Sequence, residues 1–152
     1  PQFVAEFCPN GCFYFFPEGN LAYSVEWRRV IHLKGIIKGP MGEKHDFFLR
    51  GKVPKMQNSA TYENKACLKM VGGKRAGEIQ WKGESIAYKK LPPFEWRFYK
   101  EGRMIAEIKK GFLPLSWTEL FRLNRPYLRF QEKPNQATLE AILLSFALID
   151  QI

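Results

Sequence analysis

This 152-residue sequence is poor in cysteine and histidine, with three cysteines and two histidines. Three cysteines are too few, and odd in number, for the disulfide framework of a small secreted domain, so we expect a reducing compartment such as the cytoplasm. Cys8 and Cys12 flank a turn, but a structural zinc site needs four ligands, and His32, His45 and Cys67 lie far away in the sequence. We therefore expect no metal and no other cofactor.

The sequence also lacks a recognisable catalytic set. No serine lies in a nucleophile-elbow context, and the glycine-rich segments lack the spacing of a phosphate-binding loop followed by a helix. Asp46 can orient His45 as a general base, but no nucleophile accompanies this pair. Glu78 and Glu107 occupy strand positions that cross-strand pairing with Lys or Arg explains. We therefore expect a binding module that is not an enzyme.

No apolar run is long enough to cross a membrane. The most apolar segment, 141–149, contains one polar residue, Ser145, and lies between Glu140 and Asp150 near the end of the chain. A membrane span needs about 20 apolar residues, whereas a helix of about 15 residues reaches only ~22 Å. A helix that is apolar on nearly all faces must then be surrounded by protein. We predict such a buried helix over 137–152, with Ser145 bonding a carbonyl one turn back.

Most of the remaining chain shows the pattern of short strands separated by Gly and Pro turns. Aromatic residues make up 15% of the sequence, which favours strands. Two segments, 73–79 and 102–108, repeat one hairpin design, in which Gly is followed by a basic residue and then by Glu-Ile on the return strand. We predict one domain, 1–152, with about ten antiparallel strands, and a barrel wide enough for a helix needs more than eight. Asn135 is the expected helix cap.

Basic residues outnumber acidic residues by 24 to 15, which gives a formal net charge of +9. Such a charge implies attraction to an anionic partner, although a dispersed solubilising charge is an equally open interpretation. The candidate anion-binding or lipid-binding residues lie on or beside strands and hairpin tips: Arg28, Arg29, Lys74, Arg75, Lys89, Lys90, Arg103, Lys109 and Lys110. Because neighbouring residues on a strand point to opposite faces, only one of each adjacent pair is expected on a given face.

The segments MVGGKRAGEIQW (70–81), FYKEGRMIAEIKKG (98–111) and ATLEAILLSFALID (137–150) together resemble the tubby-like superfamily, over about residues 66–152. This superfamily includes tubby C-terminal domains, LURP-one-related proteins and phospholipid scramblases. The resemblance implies a mainly β fold, a closed antiparallel β-barrel of about ten to twelve strands around a buried hydrophobic C-terminal helix. It also implies peripheral binding of anionic phospholipid or phosphoinositide head groups through a basic barrel surface. Scramblase-like calcium binding is not implied, because Asp150 stands alone.

Two other functions stay open from the sequence. Aromatic residues such as Trp81, Trp96 or Trp117 can form a patch for a protein partner. The interleaved aromatic and basic residues of 96–100 can stack the bases of single-stranded nucleic acid, although strand alternation explains the same pattern. The leading expectation is a cytoplasmic domain in peripheral contact with a membrane, without a transmembrane span.

Overall fold

The structure, a computed structural model, describes residues 2–29, 33–50, 66–72, 75–92, 94–110 and 126–149. These residues form eleven strands and one α-helix. The strands are β1 (Gln2–Cys8), β2 (Gly11–Phe15), β3 (Leu21–Arg29), β4 (Leu33–Lys38), β5 (Lys44–Arg50), β6 (Ala66–Gly72), β7 (Ala76–Trp81), β8 (Glu84–Leu91), β9 (Glu95–Lys100), β10 (Arg103–Lys110) and β11 (Pro126–Phe130). The helix is α1 (Gln136–Leu148). The predicted mainly β class with one C-terminal helix is confirmed.

Each of the eleven strands pairs with two neighbours, in the order β1-β11-β10-β9-β8-β7-β6-β5-β4-β3-β2. The first and last of these strands in the chain, β1 and β11, are paired with each other, and we call the whole arrangement the strand ring. Ten pairings are antiparallel, but β5 and β6 pair in parallel. The predicted antiparallel arrangement thus holds for ten of the eleven pairings, and β5–β6 departs from it. Strand directions cannot alternate all the way around a ring with an odd number of members, so eleven strands require at least one parallel pair.

The strand ring has two ends, which the turns define. The turns β2–β3, β4–β5, β7–β8 and β9–β10 lie at one end, together with the connection 131–135 that leads into α1. We call this the helix-entry end, and the opposite end, with the turns β1–β2 and β8–β9, the far end. The two hairpins of similar sequence, β6–β7 and β9–β10, consequently turn at opposite ends.

Helix α1 is covered on all its faces. Every residue from Thr138 to Ile149 is buried, and apolar side chains are spread around the whole circumference of the helix. The strands show the alternation expected when one face of a sheet points inward, and Tyr88 and Phe98, for example, are buried in the same core as the helix. The predicted buried helix is thereby confirmed within the described residues.

Three hydrogen bonds fix the helix locally and within the strand ring. The Asn135 side chain accepts from the Thr138 amide at 2.7 Å, and Ser145 donates to the Ile142 carbonyl at 3.0 Å, so the predicted cap and the predicted Ser145 bond are confirmed. Tyr14, an inward-facing residue of β2, donates its hydroxyl proton to the Leu143 carbonyl at 2.6 Å. Burial raises the pKa of Tyr14, which keeps this donor protonated.

Replacing Tyr14 by Phe is expected to lower the free energy of unfolding by about 1 kcal/mol, because a buried hydrogen bond between β2 and α1 is lost. Denaturant unfolding followed by circular dichroism measures the difference. Tyr127→Phe is the control, since Tyr127 is only half-buried and its hydroxyl forms no hydrogen bond with the described residues, and it should change stability by less than about 0.5 kcal/mol. Equal stabilities of Tyr14→Phe and the unmodified chain would contradict the anchoring role.

Candidate functional site

Five basic residues lie close together at or near the far end, on or beside strands β7 to β10. The carbonyl of Arg75 accepts from the amide of Lys90 at 2.6 Å, which joins the start of β7 to the end of β8. Lys89 lies opposite Arg97 on β9, and Lys109 lies near the end of β10. We define the basic patch as these five residues, of which all but Arg97 were predicted from the sequence: Arg75, Lys89, Lys90, Arg97 and Lys109.

Two carboxylates partly balance the charge of the basic patch. The Glu95 Oε1 atom lies 3.5 Å from Arg97 Nε and 3.7 Å from Lys109 Nζ. Glu107 Oε2 also lies 3.7 Å from Lys109 Nζ. Ion pairs of this length at a solvated surface contribute little energy. The other three members of the basic patch are exposed and form no ion pair with any residue that the structure describes.

The neighbouring residues Lys89 and Lys90 point to opposite faces of β8, as predicted. Lys89 shares the outward face with Arg97, whereas Lys90 lies opposite the buried Trp96 in an inward-facing row. The Lys90 ammonium lies 5.5 Å from the Trp96 ring centroid, a distance at which a cation is attracted to an aromatic face. Because Lys90 lies at the end of the strand, its inward-facing side chain still reaches solvent and belongs to the basic patch.

The structure does not bring the remaining predicted residues into this patch. Arg103 lies at the helix-entry end, where its guanidinium contacts Glu132 at 2.6 Å. Arg103 therefore lies apart from the basic patch, because the two similar hairpins turn at opposite ends. Lys74 and the side chains of Arg29 and Lys110 lie outside the described part of the chain.

Arg28 lines a separate groove of about 620 Å³ on the outer face of β2 to β5. Strands β4, β5 and β6 lie between Arg28 and the basic patch. The same groove is lined by a second cation, Lys34, and by two carboxylates, Glu26 and Asp46. Arg28 therefore lies in a surface of mixed charge and does not extend the basic patch.

A buried carboxylate at the helix-entry end was missed by the sequence analysis, which treated it only as a boundary of the apolar segment. Glu140, in the second turn of α1, is 2% exposed. It accepts hydrogen bonds from Trp81 Nε1 at 3.2 Å and Lys82 Nζ at 3.1 Å, and from Gln136 Nε2 at 3.4 Å. The His45 Nε2 atom lies 3.4 Å from Glu140 Oε2, the oxygen that also accepts from Gln136. We call these five residues the Glu140 cluster.

The Glu140 cluster identifies the interaction partner of His45. Its partner is the buried Glu140, whereas Asp46 lines the outer groove, so the His45-Asp46 pair considered from the sequence is not formed. Donors from β5, from β7 and from the β7–β8 turn hold one helix residue, which fixes the depth of α1 within the strand ring. The signal available in the sequence was an acidic residue in an otherwise apolar helix, since a buried charge requires partners.

The cysteines of the first hairpin do not face one common site. Cys12 is buried and inward-facing, and burial raises the pKa of its thiol to about 12, so the metal-binding thiolate form is disfavoured. Cys8 pairs with Gly11, the neighbour of Cys12 on β2, and therefore points to the opposite face of the sheet.

Polar contacts also hold the start of α1 against strands β8 and β9. Lys100 Nζ lies 2.6 Å from Glu84 Oε2, and Asn135 Nδ2 donates to Glu84 Oε1 at 3.1 Å. Lys100 Nζ also lies 3.4 Å from Thr138 Oγ1. The hydrogen bond from Lys100 is the main reason that the pKa of Glu84 is lowered.

No protein-family model, curated protein or solved structure matches this chain. In the described residues, no helix has both the length and the apolar character that crossing a membrane requires. The fold and the site alone define the class, which is a mainly β domain with a buried helix and a basic patch at or near one end of its strand ring.

Replacing Glu140 by Ala is expected to lower the free energy of unfolding by about 3 kcal/mol, because Trp81 and Lys82 lose a buried acceptor. Glu132→Ala is the matched control, since the exposed pair of Glu132 with Arg103 should contribute less than about 1 kcal/mol. Denaturant unfolding of both variants at neutral pH measures the two effects. Similar losses in the two variants would contradict a special role of Glu140.

The lowered pKa of Glu84 predicts a pH-dependent contribution to stability. A carboxyl whose pKa is lower in the folded state stabilises the fold above its unfolded pKa, near 4.5, and loses this contribution as the pH falls through the folded value. Glu84→Gln should therefore be less stable than the unmodified chain at neutral pH, and the difference should shrink in acid below pH 4.5. Unfolding curves across this range measure it, and a difference independent of pH would contradict the assignment.

Proposed function

We propose that this chain is a non-catalytic binding module that attaches peripherally to membranes through anionic phospholipid or phosphoinositide head groups. The basic patch is the proposed contact. We further propose that the strand ring is a closed barrel of the tubby-like kind with α1 as its core, and that the domain acts in the cytoplasm, where the facing membrane leaflet carries anionic lipid.

The observation that carries this proposal is the group of exposed cations without carboxylate partners among the described residues. Arg75, Lys89 and Lys90 lie on neighbouring chain segments, so their side chains can contact adjacent head groups. Charge-assisted hydrogen bonds to phosphate oxygens are the strong contacts for such an arrangement. Each basic residue near an anionic membrane surface contributes about 1 kcal/mol.

Several cations of the helix-entry end are already held by carboxylates. There Lys82, Lys100 and Arg103 each contact a carboxylate, at 3.1, 2.6 and 2.6 Å respectively. Cations that already hold a carboxylate are less available to an external anion. Unpaired cations such as Lys44 and Lys133 also lie, within the described residues, at the helix-entry end, so the far end is distinguished by three cations, Arg75, Lys89 and Lys90, on adjoining chain segments.

The aromatic residues give less support to the two other functions. Trp81 and Trp96 are 1% and 4% exposed, and Trp117 lies outside the described residues, so the first two tryptophans offer no surface to a protein partner. Phe98 is buried as well, so the basic and aromatic segment 96–100 does not present a row of rings for base stacking.

The test is sedimentation with phosphatidylcholine vesicles that contain or lack phosphatidylserine or a phosphoinositide. Binding should require the anionic lipid and should weaken as salt is added, because several charges are screened together. Removing three cations of the basic patch, Arg75→Ala, Lys89→Ala and Lys90→Ala, should weaken binding about a hundredfold.

A matched triple variant controls for net charge. Arg103→Ala, Lys44→Ala and Lys133→Ala also removes one arginine and two lysines, all exposed, from the helix-entry end. Its binding should fall much less. Equal recovery of the unmodified chain with neutral and anionic vesicles would overturn the proposal, and equal losses in the two triple variants would show that net charge, without the patch, governs binding.

A further inference from the structure

An exposed aromatic ring lies at the same end as the cations of the proposed contact. Phe7, the penultimate residue of β1, is 47% exposed, although it occupies an inward-facing position opposite the buried Cys12. Its ring centroid lies 5.3 Å from that of Phe146 in α1. The helix therefore supports the ring from within the strand ring, while the other side of Phe7 is open to solvent at the far end.

Two other large apolar side chains are exposed in the described residues, and they lie at the other end. Leu21 is 51% exposed and Met41 is 86% exposed, both in or beside turns of the helix-entry end. Carboxylates occupy the same turns, Glu18 before Leu21 and Glu43 after Met41. These carboxylates oppose contact of the two turns with an anionic surface, although Lys44 directly follows Glu43. The exposed Phe7 thus lies at the same end of the strand ring as Arg75, Lys89 and Lys90, which form no ion pair with the described residues.

Phe7 and the cations lie at different points around the far end. Strands β1 and β8 are separated by β11, β10 and β9, so four strand spacings of about 4.8 Å place them ~19 Å apart along the strand ring. Both Phe7 and Lys90 occupy inward-facing rows at strand ends. A flat surface that covers the far end can therefore contact both, whereas one that lies along the outer wall beside β8 cannot.

We propose that the domain docks end-on, with the far end of the strand ring against an anionic bilayer, Phe7 inserted at the membrane interface, and the basic patch on the phosphates. This inference rests on the proposed lipid binding and adds the orientation and an apolar anchor. Aromatic rings are favoured at the boundary between head groups and acyl chains, and apolar insertion combined with electrostatic attraction strengthens peripheral binding.

The affinity test compares Phe7→Ser with Leu21→Ser on vesicles of phosphatidylcholine and phosphatidylserine. The two residues have similar exposure at opposite ends, so the pair is matched. Phe7→Ser should weaken binding about tenfold, through the loss of an inserted ring, and Leu21→Ser should leave it unchanged. Circular dichroism establishes that each variant is folded. If Phe7→Ser does not fold, Phe7→Leu replaces it, because leucine keeps an apolar contact with Phe146.

The orientation test uses Phe7→Trp and Leu21→Trp with vesicles that contain brominated acyl chains. The added tryptophan at position 7 should be quenched beyond the signal of the unmodified chain, and the one at position 21 should not. If the unmodified chain binds in a salt-dependent manner but position 21 is quenched, or neither position is, the end-on inference fails while the proposed lipid binding stands. If the unmodified chain does not bind anionic vesicles at all, the proposed function fails and this inference with it.

Discussion

A helix with apolar side chains on all its faces must be covered on every side, and the rest of this fold depends on that requirement. A single flat sheet cannot cover such a helix, because it would contact only one side of the helix. The eleven strands of the described residues supply this cover, and β1 pairs with β11 as well as with β2. Burying each Leu, Ile or Phe of α1 contributes about 1.5–3 kcal/mol, which makes the helix a large part of the driving force for folding.

Apolar contacts are not directional, so a helix enclosed only by them could slide or rotate. Polar contacts at two levels remove this freedom. Tyr14 holds the Leu143 carbonyl in the middle of the helix, and the Glu140 cluster holds α1 near the helix-entry end. The first turn is held as well, because Glu84 contacts the helix cap Asn135. The buried carboxylate of α1 and the ion pairs around the start of the helix therefore lie at the helix-entry end, where they hold the helix in position.

The far end has the opposite character. The cations of the basic patch outnumber the carboxylates that contact them, and Phe7 is exposed above Phe146. The two ends thus differ in their polar groups, since ion pairs hold the helix at one end, whereas the other end carries Arg75, Lys89 and Lys90 without ion pairs to described residues and an exposed aromatic ring. The proposed membrane contact follows from this difference, and it leaves the groove lined by Arg28 on the side wall, away from the contact.

The sequence by itself determined the features that depend on near neighbours in the chain. The cap at Asn135, the Ser145 bond, the buried apolar helix and the alternation of short strands follow from residue types a few positions apart. Tertiary structure alone decided the parallel pairing of β5 with β6, the opposite directions of two hairpins with one sequence design, and the partners of Glu140, such as Trp81, which is 59 residues away. These depend on the number and order of strands around a ring. The strand order determines which strand ends lie next to each other, and a local sequence pattern carries no information about that order.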